Sequence, residues 1–181
     1  MEVPCEAFLY KFPSSVVKLA AHNVFGKYDI SSTRFGTLEK FQFSGEHINP
    51  LLLGNSKITF WIESQGEDKS ILYLSAFNTR TGAYVPAMRH AVVINKIKDY
   101  LNAIEVECID ISHQLFLAEQ YQRVLELDKE IRELYEELQR LEEEVPTPST
   151  QIHRTRIAIR AKENQLRRET AILEQLKNDN Y

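Results

Sequence analysis

Apolar residues recur with heptad spacing through the second half of the chain. Ile94, Ile97, Leu101, Ile104, Cys108, Ile111, Leu115 and Ala118 are separated by alternating steps of three and four. Val124, Leu127, Ile131, Leu134, Leu138, Leu141 and Val145 follow the same rule. This spacing lines one stripe of a helix and predicts a coiled coil over residues 94–145. Ala118, Tyr121 and Val124 join the two runs by consecutive steps of three, a stammer that overwinds a coil locally. Pro146 and Pro148 then stop the helix and predict a turn over 146–150. Over residues 151–178, Ile152, Ile159, Leu166 and Leu173 recur every seventh position, with Leu176 near the end. The intervening seam positions Thr155, Lys162 and Glu169 are polar, so this second helix is marginal alone and needs a partner. The short connection favours the preceding helix as an antiparallel neighbour. Folded back, a helix ending near residue 177 reaches about residue 117, where the heptad phase changes. The stripe before that point must face the N-terminal domain or another chain.

A different pattern runs through residues 1–93. Lys57–Glu63 and Ser70–Phe77 are rich in β-branched and aromatic residues and flank a polar turn containing Gly66, which predicts a β-hairpin. Ile58, Phe60 and Ile62 share one face and Trp61 takes the other, so a cover is expected on the second face too. The candidates are a short helix over 16–24, capped by Ser14 or Ser15 and ended by Gly26, and the helix that Pro86 opens. Phe41 and Phe43 share a face of a further β-like stretch beginning at Leu38. Leu51, Leu52 and Leu53 are either a short buried strand or an exposed docking patch, burial being the simpler reading. The fold expected is an α+β head domain (residues 1–93, a β-hairpin or small antiparallel sheet with helices) followed by a long α-helical stalk. The stalk comprises the 94–145 helix, the 146–150 turn and the 151–178 return helix of an antiparallel coiled-coil hairpin.

Charge sharpens the pairing of the two long segments. Residues 126–144 hold nine acids and three bases, whereas 151–178 hold seven bases and three acids. Opposite blocks disfavour like-with-like association, although single exposed ion pairs contribute only about 0–1 kcal/mol. All six glycines lie in the first 82 residues, as expected if the remainder is helical. The chain has 181 residues, 43% apolar and 27% charged, with a formal net charge of −4. That composition excludes wholesale disorder and does not suggest a general nucleic-acid binder. No apolar run approaches the length of a membrane span, and the N-terminus lacks a secretory pattern, so no membrane partner is expected. Two distant cysteines, Cys5 and Cys108, make neither a disulfide framework nor a metal motif, which favours a cytoplasmic or other reducing intracellular compartment.

Motifs for chemistry are lacking. The five histidines (His22, His47, His90, His113 and His153) show no metal-ligand spacing, and there is no phosphate-binding glycine loop or nucleophile elbow. No metal, cofactor or catalytic residue is assigned, and Cys108 reads as an inert core thiol. The loop Asn78–Tyr84 carries Thr, Arg and Gly ahead of the expected helix and can hold an anion; its Arg80 and Tyr84 also suit a protein contact. The expected function is a non-enzymatic interaction, scaffold or adaptor protein. Its partner is another protein or a second copy, engaged through Ile94, Ile97, Leu101, Ile104, Ile111 and Leu115, with Arg80 and Tyr84 on the head. One alternative is a nucleic-acid-associated factor using the basic return helix, which lacks interleaved aromatic residues. The other is a small enzyme or chaperone with its site in the head, around Arg80, Tyr84 and His90.

Overall fold

Side-chain alternation along two neighbouring strands organises the N-terminal part of the molecule. The computed structural model describes residues 5–35, 37–85, 90–144 and 148–178, which fall into two compact units, Met1–Ser112 and His113–Tyr181. The first unit contains β1 (Glu6–Tyr10), α1 (Ser14–Phe25), β2 (Ser31–Phe35), β3 (Leu38–Ser44), a short helical turn α2 (Pro50–Leu53), β4 (Ser56–Ser64) and β5 (Ser70–Asn78). It ends within α3 (Ala91–Glu143), and α4 (Ser149–Asn178) follows in the second unit. The strands form one sheet in the order β1-β5-β4-β3-β2, every neighbouring pair antiparallel.

The expected hairpin is the centre of this sheet. Phe60 stands opposite both Phe41 and Leu74, and Ile58 opposite Phe43 and Ala76. These side chains are all buried. α1 and the start of α3 cover this face: the Phe25 ring lies 5.0 Å from Phe43, 5.1 Å from Phe60 and 5.5 Å from Tyr100. Both expected covers therefore lie on the face of Phe60, opposite Trp61. Trp61 is buried by its neighbours instead. Tyr73 stacks on it at 5.1 Å, Lys40 Nζ sits 4.5 Å from its ring centre, and its Nε1 donates to Glu63 at 3.1 Å.

Several local expectations are revised. The cap of α1 is Pro13, whose carbonyl accepts from the N–H groups of Val16 and Val17, so Ser14 and Ser15 belong to the first turn. Leu51–Leu53 form the helical turn α2, capped by Asn49 Oδ1 accepting from Leu51 and Leu52 N–H at 3.1 and 3.0 Å. Leu53 is buried whereas Leu51 and Leu52 are exposed, so this segment is a helical turn with one buried leucine and not a buried strand. The helix start expected at Pro86 lies outside the described residues, as do Val145, the last residue of the expected heptad helix, and Pro146 and Thr147 of the expected turn.

α3 is a single element through residues 102–115. Over its first turns Val93, Ile97, Tyr100, Ile104, Cys108 and Ile111 join the core of the sheet. The N-terminal unit consequently runs to Ser112, past the boundary expected at residue 93. Val93 and Tyr100 are more deeply buried than Ile94 and Leu101, so the buried edge is displaced by one residue from the heptad reading.

In the second unit, hydrogen bonds and ion pairs link α3 to α4. Gln120 Nε2 donates to the Glu169 carbonyl at 3.1 Å and to its Oε2 at 2.5 Å. Lys162 pairs with Glu130 at 2.6 Å, Tyr135 Oη donates to Glu163 at 2.8 Å, and Arg156 donates to Glu142 at 2.8 Å. Numbers rise on one helix as they fall on the other, so these segments run antiparallel. Leu127, Ile131, Thr155, Ile159 and Leu173 are buried between them. Ala118 and Tyr121 are exposed while Gln120 is buried, so the stammer expected there is absent. Gln120 can occupy the seam because its amide finds two acceptors on Glu169, which removes the cost of burying an unpaired polar group.

The burial of Ile104 yields a sharp contrast with Leu115, three heptad steps along the same expected stripe. Ile104→Ala should lower stability by about 2–5 kcal/mol, read by urea unfolding followed through Trp61 fluorescence. Leu115→Ala should stay within about 0.5 kcal/mol of the parent. Equal effects would contradict this division of α3.

Candidate interaction surfaces

The expected interaction stripe splits into core and surface. Ile97, Ile104 and Ile111 are buried against the sheet, and Ile94 and Leu101 are half-buried. Within the N-terminal unit these side chains have their partner already. Leu115, in the second unit, is 52% exposed. Around it on α3 stand further large apolar side chains: Phe116 at 47%, Tyr121 at 49% and Leu125 at 45% exposure. Ala118 lies three after Leu115 and three before Tyr121, and Leu125 four after Tyr121, so these four residues share one side of the helix, whereas Phe116, nine before Leu125, lies on another.

The Asn78–Tyr84 loop is saturated by its own bonds. Asn78 Oδ1 accepts from the N–H groups of Arg80 and Thr81 at 2.9 and 3.1 Å, the two donors that an anion would need. Gly82 closes the turn with φ +66°, a left-handed geometry suited to glycine. Tyr84 continues the sheet edge as a bridge to Phe77, against whose ring it packs edge-on. Arg80 remains exposed. An anion there would have to displace these bonds, whereas Arg80 presents its guanidinium to solvent.

Cation neutralisation marks the return helix. Arg156 and Lys162 are engaged by Glu142 and Glu130, which reduces the field available to a phosphate backbone. Among the described residues no group of three or more His, Cys, Asp or Glu side chains is placed to hold a metal ion, and no helix is long and apolar enough to cross a membrane. Cys108 is buried, and burial, reinforced by Glu105 and Glu107, pushes its thiol up to about 11. At neutral pH it is a poor nucleophile.

One polar groove in the N-terminal unit was not anticipated. It lies between α1 and the edge strand β2, and two adjoining cavities of about 700 and 240 Å³ share Lys18, Glu39 and Phe41. His22, Tyr28, Asp29 and Ser32 line one end; Ser14, Ser15, Arg34 and Thr37 line the other. Lys18 forms an ion pair with Glu39, and its hydrogen bond is the main reason that the Glu39 carboxyl lies below its ordinary value of 4.5. His22 meets the Phe41 ring edge-on at 4.4 Å. Burial, followed by the charge of Lys18, lowers the His22 pKa from 6.5, with Glu39 acting in the opposite sense. The sequence signal was the spacing of Lys18 and His22, one helical turn apart. β2 itself, Ser-Ser-Thr-Arg-Phe, has no apolar alternation to reveal it as a strand.

These shifts have a definite sign. Folded His22 binds its proton less readily than the unfolded chain, so its contribution to stability is full above about pH 6.5 and declines as pH falls below that value. The Glu39 contribution is present above about 4.5 and is lost as pH falls through its lower folded value. NMR titration should give the His22 ring a midpoint below 6.5, and Lys18→Met should raise that midpoint. An ordinary midpoint, unmoved by Lys18→Met, would contradict the groove geometry.

No protein-family model matches this chain, and comparison with curated proteins finds no match.

Proposed function

We propose that the chain is a non-enzymatic interaction protein, whose C-terminal helices close as an antiparallel coiled-coil hairpin and associate with a second copy. The observation carrying this reading is the half-exposure of Leu115, Tyr121 and Leu125 along one side of α3 within eleven residues. Side chains of this size scattered singly are ordinary, but contiguous ones mark interfaces. A two-fold axis sets the same patch against itself, which makes another copy a self-complementary partner. Support for the hairpin comes from the antiparallel pairs at Gln120–Glu169 and Arg156–Glu142, near opposite ends of the helical unit. The opposite charge of its two helices disfavours exchange of like helices between copies. The scaffold role follows: the helical unit would assemble copies, and the sheet unit would remain available for other contacts.

Sedimentation equilibrium tests this reading. The expected outcome is a mass that rises with concentration in the micromolar range. Replacing Leu115, Tyr121 and Leu125 together by serine should shift the protein to monomer while its helical circular dichroism is retained, because these side chains lie outside the buried seam. A parent protein that is monomeric throughout the range, or an unchanged mass for the triple variant, would overturn it.

A further inference from the structure

One wall of the α1–β2 groove is the edge of a sheet. β2 pairs with β3 and ends the strand order, so among the described residues no strand meets its outer side. On an antiparallel edge, alternate residues direct N–H and C=O groups away from the sheet, where an extended chain can bond them. We propose that this groove binds an extended peptide of another protein, carrying an acidic residue at one end, which adds to β2 and sets its carboxylate against Arg34.

Length, charge and shape support that occupant. α1, the opposite wall, has twelve residues and spans about 18 Å; five extended residues span about 17 Å. A compact small molecule would leave most of such a trough unfilled, whereas an extended backbone follows it. The charges are graded along its length. Lys18 is engaged by Glu39; Arg34, opposite Glu39 in the β2–β3 register and adding to the field on its carboxyl, forms no close ion pair among the described residues and stands exposed beside the hydroxyl groups of Ser14, Ser15 and Thr37. The opposite end carries Asp29. A peptide acidic at the Arg34 end is matched, and one basic at that end is repelled. Main-chain bonds to β2 would supply affinity, and the two ends would supply polarity of choice, the division of labour in strand addition. This inference concerns the sheet unit and does not depend on association of the helices.

The test uses the full chain with four acetylated and amidated octapeptides of alternating valine and threonine, bearing a glutamate pair or a lysine pair at one end or the other. Fluorescence anisotropy and amide NMR shifts are read together. The expected result is binding of a glutamate-ended peptide with shifts along Ser31–Arg34 and at His22. Arg34→Glu should weaken that peptide by at least about tenfold and improve a lysine-ended one, with Arg34→Gln intermediate. Because Arg34 is exposed, these variants should melt like the parent. The Leu115, Tyr121 and Leu125 triple variant should bind as the parent does, so failure of self-association leaves this result untouched. Equal binding of both charge types, indifference to Arg34→Glu, shifts confined elsewhere, or β2 shifts that grow with protein concentration without peptide would each overturn the proposal, the last by making a second copy the occupant.

Discussion

The apolar contact between the sheet and the first turns of α3 is the constraint on which the N-terminal unit depends. α1 alone offers Val16, Val17, Ala20, Ala21 and Phe25 to five strands, a narrow cover for the side chains on one face. Val93, Ile97, Tyr100, Ile104, Cys108 and Ile111 complete it. Full burial of side chains of the Val, Ile or Phe class contributes roughly 1.5–3 kcal/mol each, so this face of α3 outweighs any single polar bond in the unit. Polar bonds fix its position instead. Tyr10 Oη donates to the Leu101 carbonyl at 3.2 Å, and the hydroxyl groups of Tyr28 and Tyr100 meet at 2.5 Å. Burial holds both Tyr10 and Tyr100 well above the ordinary phenol range, so these hydroxyls stay protonated at neutral pH.

The same helix meets different demands beyond Ser112. There its apolar residues face α4, a helix whose seam carries Thr155, Lys162 and Glu169. Thr155 is buried, Lys162 reaches Glu130, and Glu169 accepts from Gln120. A polar residue in a seam reduces stability but discriminates between registers, because only one alignment pairs it. Gln120 and Glu169 have this property. A shift by one heptad would bury the Gln120 amide opposite a different side chain.

Heptad spacing made both long helices legible, the short connection and opposite charge blocks their antiparallel order, and the β-rich runs around a polar turn the central hairpin, because these signals are local in the chain. What covers a stripe is decided by tertiary partners, and periodicity is silent about them. A run such as Ile97, Ile104 and Ile111 looks identical whether it packs on a sheet, a sister helix or another chain. One-residue displacements were equally hidden, since Val93 and Tyr100 are as compatible with a helical face as Ile94 and Leu101. The stammer failed for a related reason. Tyr121 is the apolar choice and Gln120 the polar one, yet Glu169 on the other helix satisfies Gln120 and reverses the preference. The groove was least legible, because β2 is a polar strand and its ion pair joins residues 18 and 39, which only the fold brings together.

That polarity has a physical consequence for an edge. A strand that ends a sheet and carries apolar side chains invites indiscriminate pairing, and proteins commonly blunt it with charge. β1, the other edge, bears the exposed Leu9, with Lys11 following directly. β2 carries hydroxyl groups and Arg34. With little apolar area to bury, any chain added there gains mainly from backbone hydrogen bonds, each worth about 0.5–1.5 kcal/mol net, and from charge matching. Such a contact is weak, quickly reversed and salt-sensitive. The exposed apolar side chains Leu115, Tyr121 and Leu125 of the helical unit have the opposite character: association through them would be driven by area and little affected by salt. The two units thus present exposed side chains of different physical kind, polar along the β2 edge and apolar at Leu115, Tyr121 and Leu125.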